Sequence, residues 1–318
     1  MISSRIRLAR NIKGIPFTGR MTVEQKKAVC TKVKEVASAI PGYKFDYIDM
    51  ENVTAIQAGS MVEEHLISVE FANNREGEGL LLDRKHNVSV MINEEDHLRI
   101  QVLGRGEKLA TLYETASEID DALDEKLHFA FSEKLGYLTH CPTNLGTGLR
   151  ASVMMHLPAL HESGLINKII NTVSQVGLTV RGMYGEGTKA SASMYQVSNQ
   201  ITLGICEKNA IDNLKIITAQ LIDKERKARN GLNKIKLEDM CFRALGTLQN
   251  SRILSSKEMM DLLSRIKLGI SMGIIKTDVL PIKLFIEGQP NMLMKKYGQL
   301  EPEERDIYRS AFIRDALK

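Results

Sequence analysis

The chain has 318 residues, of which 43% are hydrophobic, with 43 basic against 39 acidic side chains and a net charge of +4. That length exceeds what a single core usually reaches, roughly 250 to 300 residues, so two domains are expected; the balanced charge gives no reason to expect direct nucleic-acid binding. There is no run of about 18 apolar residues and no apolar leader-like segment, and Cys30, Cys141, Cys206 and Cys241 show neither C-x-x-C spacing nor paired histidines nearby, so membrane insertion, secretion, a disulfide framework and a bound metal are not expected, and the chain reads as cytoplasmic.

Ser3 to Leu8 alternates polar and apolar residues, which predicts a strand with Arg5 and Arg7 on one face and Ile6 and Leu8 on the other. A helix follows, opened by Thr22 with Gln25 three residues on, and running through Ala28, Val29, Val33 and Val36; the stretch after it reads as sheet. Val88, Val90 and Ile92 alternate before an acidic break at 93–96, and Leu98, Ile100 and Val102 alternate after it, with Glu95, His97, Arg99 and Gln101 expected on one face. Ile119, Leu123, Leu127 and Phe131 recur every fourth residue and predict a helix over 116–135, ended by Gly136. Strands are expected over 178–184 and 194–203, then a helix over 207–229. A basic stretch at 224–236 marks the boundary between a domain at 1–228 and a helical one at 229–318, whose helices lie near 237–249, after Ser255 with Glu258, and from Pro302.

Arginines in such contexts point to a polyanion, because each carries a permanent charge and a planar fork of donors, and several converging would repel one another without phosphate between them. Arg5, Arg7, Arg99, Arg150 and Arg181 are the candidates, with Glu95 and Glu186 beside them in equally polar segments. The segment from Cys141 to Arg150 joins a thiol, a turn and two glycines that allow close backbone approach to an anion, with Arg150 expected in the first turn of a following helix. It lacks the Gly-Lys-Ser/Thr of a P-loop, and by itself it also reads as a plain strand-turn-helix connection. Glu186, on a glycine-rich segment between strands, reads as a lid residue or as an exposed hairpin tip, and residues 94–96 equally as a charged break. Cys141 reads either as a small buried hydrophobe or as an activated thiol.

The order Ser3-Ser-Arg-Ile-Arg7, Asn93-Glu-Glu-Asp-His-Leu-Arg99, Cys141 to Arg150 and Arg181-Gly-x-x-Gly-Glu186 resembles the phosphagen (guanidino) kinase family over essentially the whole chain. Within it the chain is most similar to the bacterial branch that acts on protein arginine, through residues 4–10, the segment around His65, Tyr195 to Gln200 and the helical tail. The resemblance implies an α+β fold, with a large antiparallel β-sheet flanked by helices and then a smaller all-α C-terminal domain. It implies ATP, with Mg²⁺, held by Ser3, Ser4, Arg5, Ile6, Arg7, His65, Arg99, Arg150, Ala151, Ser152, Val153, Met154, Arg181, Gly182, Met183, Tyr184, Gly185 and Glu186. Glu95 and Glu186 would grip the acceptor guanidinium, with Cys141 nearby as a thiolate. A phosphoarginine pocket that tunes activity is implied at Arg305, Asp306, Arg309 and Ser310, with serine where the family motif has alanine.

The chain starts almost on the Arg5 strand, shorter at the front than the family pattern. Small-molecule members place a helical domain before the sheet, so protein arginine is the expected acceptor; the alternatives are free arginine, or an inactive adaptor that binds phosphoarginine. The resemblance further implies a stress-response setting, with a heat-shock repressor among the substrates, transfer of marked proteins to a Clp unfoldase, and an activator protein. Leu262, Leu263, Ile266 and Ile270 form an apolar face that suits either a homodimer or an intrachain core.

Overall fold

The computed structural model describes residues 1–182 and 191–318. Alternation at the front of the chain is realised as strand β1 (Ser3–Arg10), in which Ile6 and Leu8 are buried while Arg5 and Arg7 stay half-buried on the opposite face. The other strands are β2 (Asp46–Asp49), β3 (Gly79–Asp83), β4 (Val88–Ile92), β5 (Leu98–Arg105), β8 (Leu149–His156), β9 (Leu178–Gly182) and β10 (Met194–Asn199). Among the described residues they form one sheet in the order β2-β3-β4-β5-β1-β8-β10-β9, every neighbouring pair antiparallel. A separate ribbon pairs β6 (Phe131–Ser132) with β7 (Gly136–Tyr137).

Helices α1 (Val23–Ser38), α4 (Leu109–Leu127), α5 (Pro158–Glu162), α6 (Ile166–Gln175) and α7 (Glu207–Asn230) supply the main core, which buries Val29, Val33, Ile119, Leu123 and Leu214 with Ile6, Val90, Ile100 and Val153 of the sheet. The expected capping box is present at Thr22, whose side chain accepts from the backbone of Gln25. On the other face, α2 (Ala55–Glu63) and α3 (Val69–Asn74) cover the β2–β4 end through Met50, Phe71, Leu80, Leu82 and Met91. These two helices replace part of the sheet expected after α1. Thr54 and Gln57 form the same capping box as Thr22 and Gln25, so the start of α2 carries a signal of the same kind in its residues.

Two further expectations fail. The helix predicted over 116–135 runs from Leu109 to Leu127, because His128 takes a left-handed backbone (φ 56°) and the chain then pairs, through Phe129, with Ile12 just past the end of β1. Phe131, read as the next member of the buried stripe, is 60% exposed. Arg150 lies on a strand instead of opening a helix: Leu149, Ala151, Val153 and Met155 are buried at period two, the pattern of a strand lying on the core.

The C-terminal helices are α8 (Lys234–Asn250), α9 (Ser256–Ser271), α10 (Pro281–Glu287), α11 (Pro290–Tyr297) and α12 (Pro302–Ala316). They enclose a second core, to which Ala192 and Met194 of the sheet-bearing part also contribute, and in which Leu263 and Ile266 are fully buried, Leu262 nearly so, and Ile270 packs against the cluster. The apolar face weighed for a homodimer is therefore interior to the chain. The tail meets the sheet-bearing part through α9, which packs on residues 191–194, and where α11 abuts α2. Gln289, before α11, gives no side-chain cap; instead the Glu63 carboxylate accepts the backbone N–H of Asn291 at 2.9 Å and of Met292 at 2.7 Å. A carboxylate at a helix N-terminus satisfies otherwise unpaired donors and opposes the helix dipole.

Candidate active site

Antiparallel register places directly opposed residues on one face of a sheet, and here it gathers the arginines. Arg7 stands opposite Gln101 on β5 and Arg150 on β8, Arg5 opposite Ser152, and Arg181 opposite Gln196. Polar neighbours hold the forks in place: Arg5 donates to Gln196 Oε1 at 2.9 Å and to Ser152 Oγ at 3.4 Å, and Arg150 to Ser198 Oγ at 3.2 Å. Ser3, Met154 and Arg99 share this parity. Ser4, Ile6, Ala151 and Val153, also named from continuous stretches, do not. Their side chains are buried toward the helix-covered face, because a strand presents only alternate residues to each side.

Burial draws the Arg5 pKa down to about 10, and the charges of Arg150 and Arg99 add to the effect. Arg7 is lowered further by burial and by Arg5, Arg99 and Arg150, with Glu94 opposing. Its Nε is buried without a hydrogen-bond partner. Guanidiniums that depress one another's charge and leave a donor unused fit a bound polyanion such as a triphosphate. His65, just beyond α2 in a left-handed conformation (φ 61°), is pushed down to about 4 by burial and secondarily by Arg5, so it is neutral at pH 7 and adds no further positive charge.

The acidic turn between β4 and β5 stands at the edge of this face. Glu94 has a side chain only 5% exposed, accepts from Ser68 Oγ, and takes Arg99 Nη1 at 2.7 Å. Glu95 is 36% exposed and holds Arg99 Nη2 at 3.2 Å, while its carbonyl accepts Thr18 Oγ1 at 2.6 Å. Asp96 is buried, and its Oδ1 accepts Asn11 Nδ2 at 2.6 Å and the His140 N–H at 2.7 Å. His97 does not join Arg99 and Gln101. It is fully buried, accepts the Ile12 N–H at Nδ1 and donates from Nε2 to the Pro16 carbonyl, because pairing of β5 begins only at Leu98.

Through Asp96 the turn also holds the segment that carries Cys141, one residue after His140. Cys141 is partly exposed, with Sγ 3.0 Å from Thr143 Oγ1, so the buried-hydrophobe reading does not apply. The glycines after it serve a purpose other than anion approach. A Cβ on Gly146 would lie 2.3 Å from the Thr202 carbonyl, and one on Gly148 would lie 2.6 Å from the Ala9 carbonyl, so these residues admit the chain's own backbone. Glu186, with Met183, Tyr184 and Gly185, lies outside the described residues. Gly182 ends β9. Sequence reasoning did not name Ser68, Asn11, Thr18, Gln196 and Ser198 as site residues: Gln196 and Ser198 are brought in by pairing across the sheet, and Ser68, Asn11 and Thr18 by their hydrogen bonds to the acidic turn.

On α12, Arg309 is 1% exposed and its fork is engaged: Nε donates to the Gly288 carbonyl at 2.7 Å, and Nη1 donates to the Leu254 carbonyl at 2.8 Å and to Asp306. Ser310 is fully buried and donates to the Ser251 carbonyl, whereas Arg305 remains half-buried.

A family model described as ATP:guanido phosphotransferase, C-terminal catalytic domain, matches residues 27–228, more than half of the chain. The chain belongs to this family. A second model, the Protein-arginine kinase McsB C-terminal domain, matches residues 234–318 of this ATP:guanido phosphotransferase. Among its relatives is a protein-arginine kinase of Halothermothrix orenii, 49% identical over all of this chain and 93% of that protein. One from Bacillus subtilis is 46% identical over all of this chain and 90% of that protein. Among solved structures, lombricine kinase is similar at 25% identity with a TM-score of 0.65, covering 73% of this chain and 68% of that one. The large antiparallel sheet flanked by helices is thus shared with guanidino kinases.

Proposed function

We propose that this ATP:guanido phosphotransferase transfers the γ-phosphate of ATP to arginine side chains of proteins, forming N-phosphoarginine. One observation carries the site: Arg5, Arg7, Arg99 and Arg150 converge on one sheet face, with Glu95 at its edge and the Cys141 segment tied to the same turn. The protein acceptor is supported by full-length relatives named protein-arginine kinase and by the match of the tail to the domain named for that enzyme.

The arginine fork and His65 would hold the triphosphate, and Mg²⁺ carried on it would supply charge neutralisation at the transferring group. An acceptor guanidinium has a pKa above about 12 and arrives protonated, so its nitrogens are poor nucleophiles. Glu95, with Glu186 as the second clamp, accepts hydrogen bonds from the fork and aims one nitrogen at the γ-phosphorus. As the N–P bond forms and the bond from the γ-phosphorus to the ADP oxygen breaks, that nitrogen becomes more acidic and its proton passes to Glu95. Cys141 lies near the guanidinium. Arg305, Asp306, Arg309 and Ser310 form a separate phosphoarginine site, with Arg305 the fork free of the backbone contacts that occupy Arg309. In the cytoplasm, marked proteins pass to a Clp unfoldase, and a heat-shock repressor is among the substrates.

The test is incubation with Mg-ATP and either free arginine or an unfolded arginine-rich protein, followed by mass spectrometry under neutral handling for acid-labile phosphate. Protein label is expected; label on free arginine alone would move the assignment to a phosphagen kinase. Glu95→Ala is expected to lower turnover by about 10²- to 10⁴-fold without loss of nucleotide affinity. Normal turnover in that variant would remove Glu95 from the chemistry.

A further inference from the structure

Resting on the reading of Glu95 as acceptor clamp, we infer that Arg99 occupies the acceptor position on Glu95 in the free enzyme, and that binding of nucleotide phosphates draws it away, so that nucleotide and acceptor bind cooperatively. Arg99 bridges two carboxylates of unequal character. Its Nη1 is held by Glu94, 5% exposed and itself bound by Ser68, while its Nη2 reaches Glu95, 36% exposed, at 3.2 Å. The first contact is anchored and the second is exchangeable. A guanidinium on Glu95 is chemically what the acceptor would place there, so the enzyme's own side chain competes with substrate for the same oxygen.

The competitor sits beside Arg5 and Arg7, both of which feel its charge. A triphosphate among these forks offers Nη2 a more highly charged partner than a solvated carboxylate. Arg99 can turn toward it while Nη1 stays on Glu94, leaving Glu95 unpaired as the reaction needs it. An ion pair this exposed is weak, so the gain in acceptor affinity is on the order of 2- to 5-fold. Linkage requires the acceptor to raise nucleotide affinity by the same factor.

Calorimetric titration of the full chain with N-acetyl-arginine methylamide, alone and saturated with the Mg complex of a β,γ-imido ATP analogue, reads the coupling directly. Tighter acceptor binding with the analogue and no change with adenosine, which lacks phosphates, is expected; equal affinities in all three states would overturn the inference. Arg99→Gln gives a sign that a structural defect would not. It should bind the acceptor more tightly than wild type without nucleotide and show no further gain with it, and weaker binding would count against the placeholder role. Glu95→Gln separates the two ideas. If it leaves acceptor binding unchanged, the clamp assignment itself fails; if it weakens binding while Arg99→Gln does not strengthen it, only the competition fails.

Discussion

Arginine is used in two opposite ways within β1. Arg5 and Arg7 crowd with their neighbours and lose part of their affinity for protons, whereas Arg10 is fully buried toward the helices, paired with Asp120 at 2.8 Å and set 3.5 Å over the Tyr137 ring. Parity along the strand makes that division legible in the order of the residues alone. Glu78 is a residue whose state parity does not reveal. It is 3% exposed with Oε2 unpartnered, and burial pushes its carboxyl up to about 8, opposed by Lys26 and aided by Glu94. Its folded pKa lies above the ordinary value of 4.5, so the folded state binds the extra proton and stability falls as pH rises through that interval. Glu78→Gln is expected to raise the thermal midpoint at pH 9 more than at pH 5. An equal shift at both would show that ionisation is not the cause.

At the scale of elements, the segment between Cys141 and Arg150 shows what local pattern leaves open. Its glycines and turn residues suit a ligand loop, yet the close approaches come from Thr202 and Ala9 of the same chain, and the segment feeds a strand. Gly148 has φ 61°, a region that disfavours other residues by about 1 to 2 kcal/mol before any clash. Gly148→Ala is therefore expected to lower unfolding free energy by at least about 2 kcal/mol in urea titration, since the Ala9 carbonyl is backbone and cannot move aside cheaply. A loss below about 0.5 kcal/mol, on the order of an ordinary surface change, would mean that the turn relaxes freely. The helix predicted to reach residue 135 stops at Leu127 for a related reason: pairing of Phe129 with Ile12 outweighs a four-residue repeat that continues only by coincidence to Phe131.

Across the whole molecule, two histidines tie stability to pH. His65 is lowered to about 4, and His156, which meets Ser264 of α9 at 2.8 Å, is lowered to about 3, chiefly by burial in both cases. Both folded values lie below 6.5, so the unfolded chain takes up these protons first, and stability present at neutral pH is lost as pH falls from about 6.5 toward 4. His156→Gln should flatten that decline in chemical denaturation at pH 7 and pH 5. A slope as steep as wild type would assign acid sensitivity elsewhere. Because Ser264 belongs to the tail and His156 to the sheet, the same contact couples the two halves, as does Glu63 at the start of α11.

Sequence alone determined the faces of β1 and β4, the helix starts at Thr22, Ser255 and Pro302, and the ordered arginine and glutamate motifs that point to guanidino-group chemistry. Each is encoded within a few residues by periodicity or by side-chain type. The tertiary structure decided what those faces meet: the register that sets Arg7 beside Arg150, the Asp96 contacts that bring the Cys141 segment to the acidic turn, the commitment of Arg309 to the tail's own backbone, and the hold of Glu94 on Arg99. These depend on which distant segments pair, and local periodicity carries no information about a partner far along the chain.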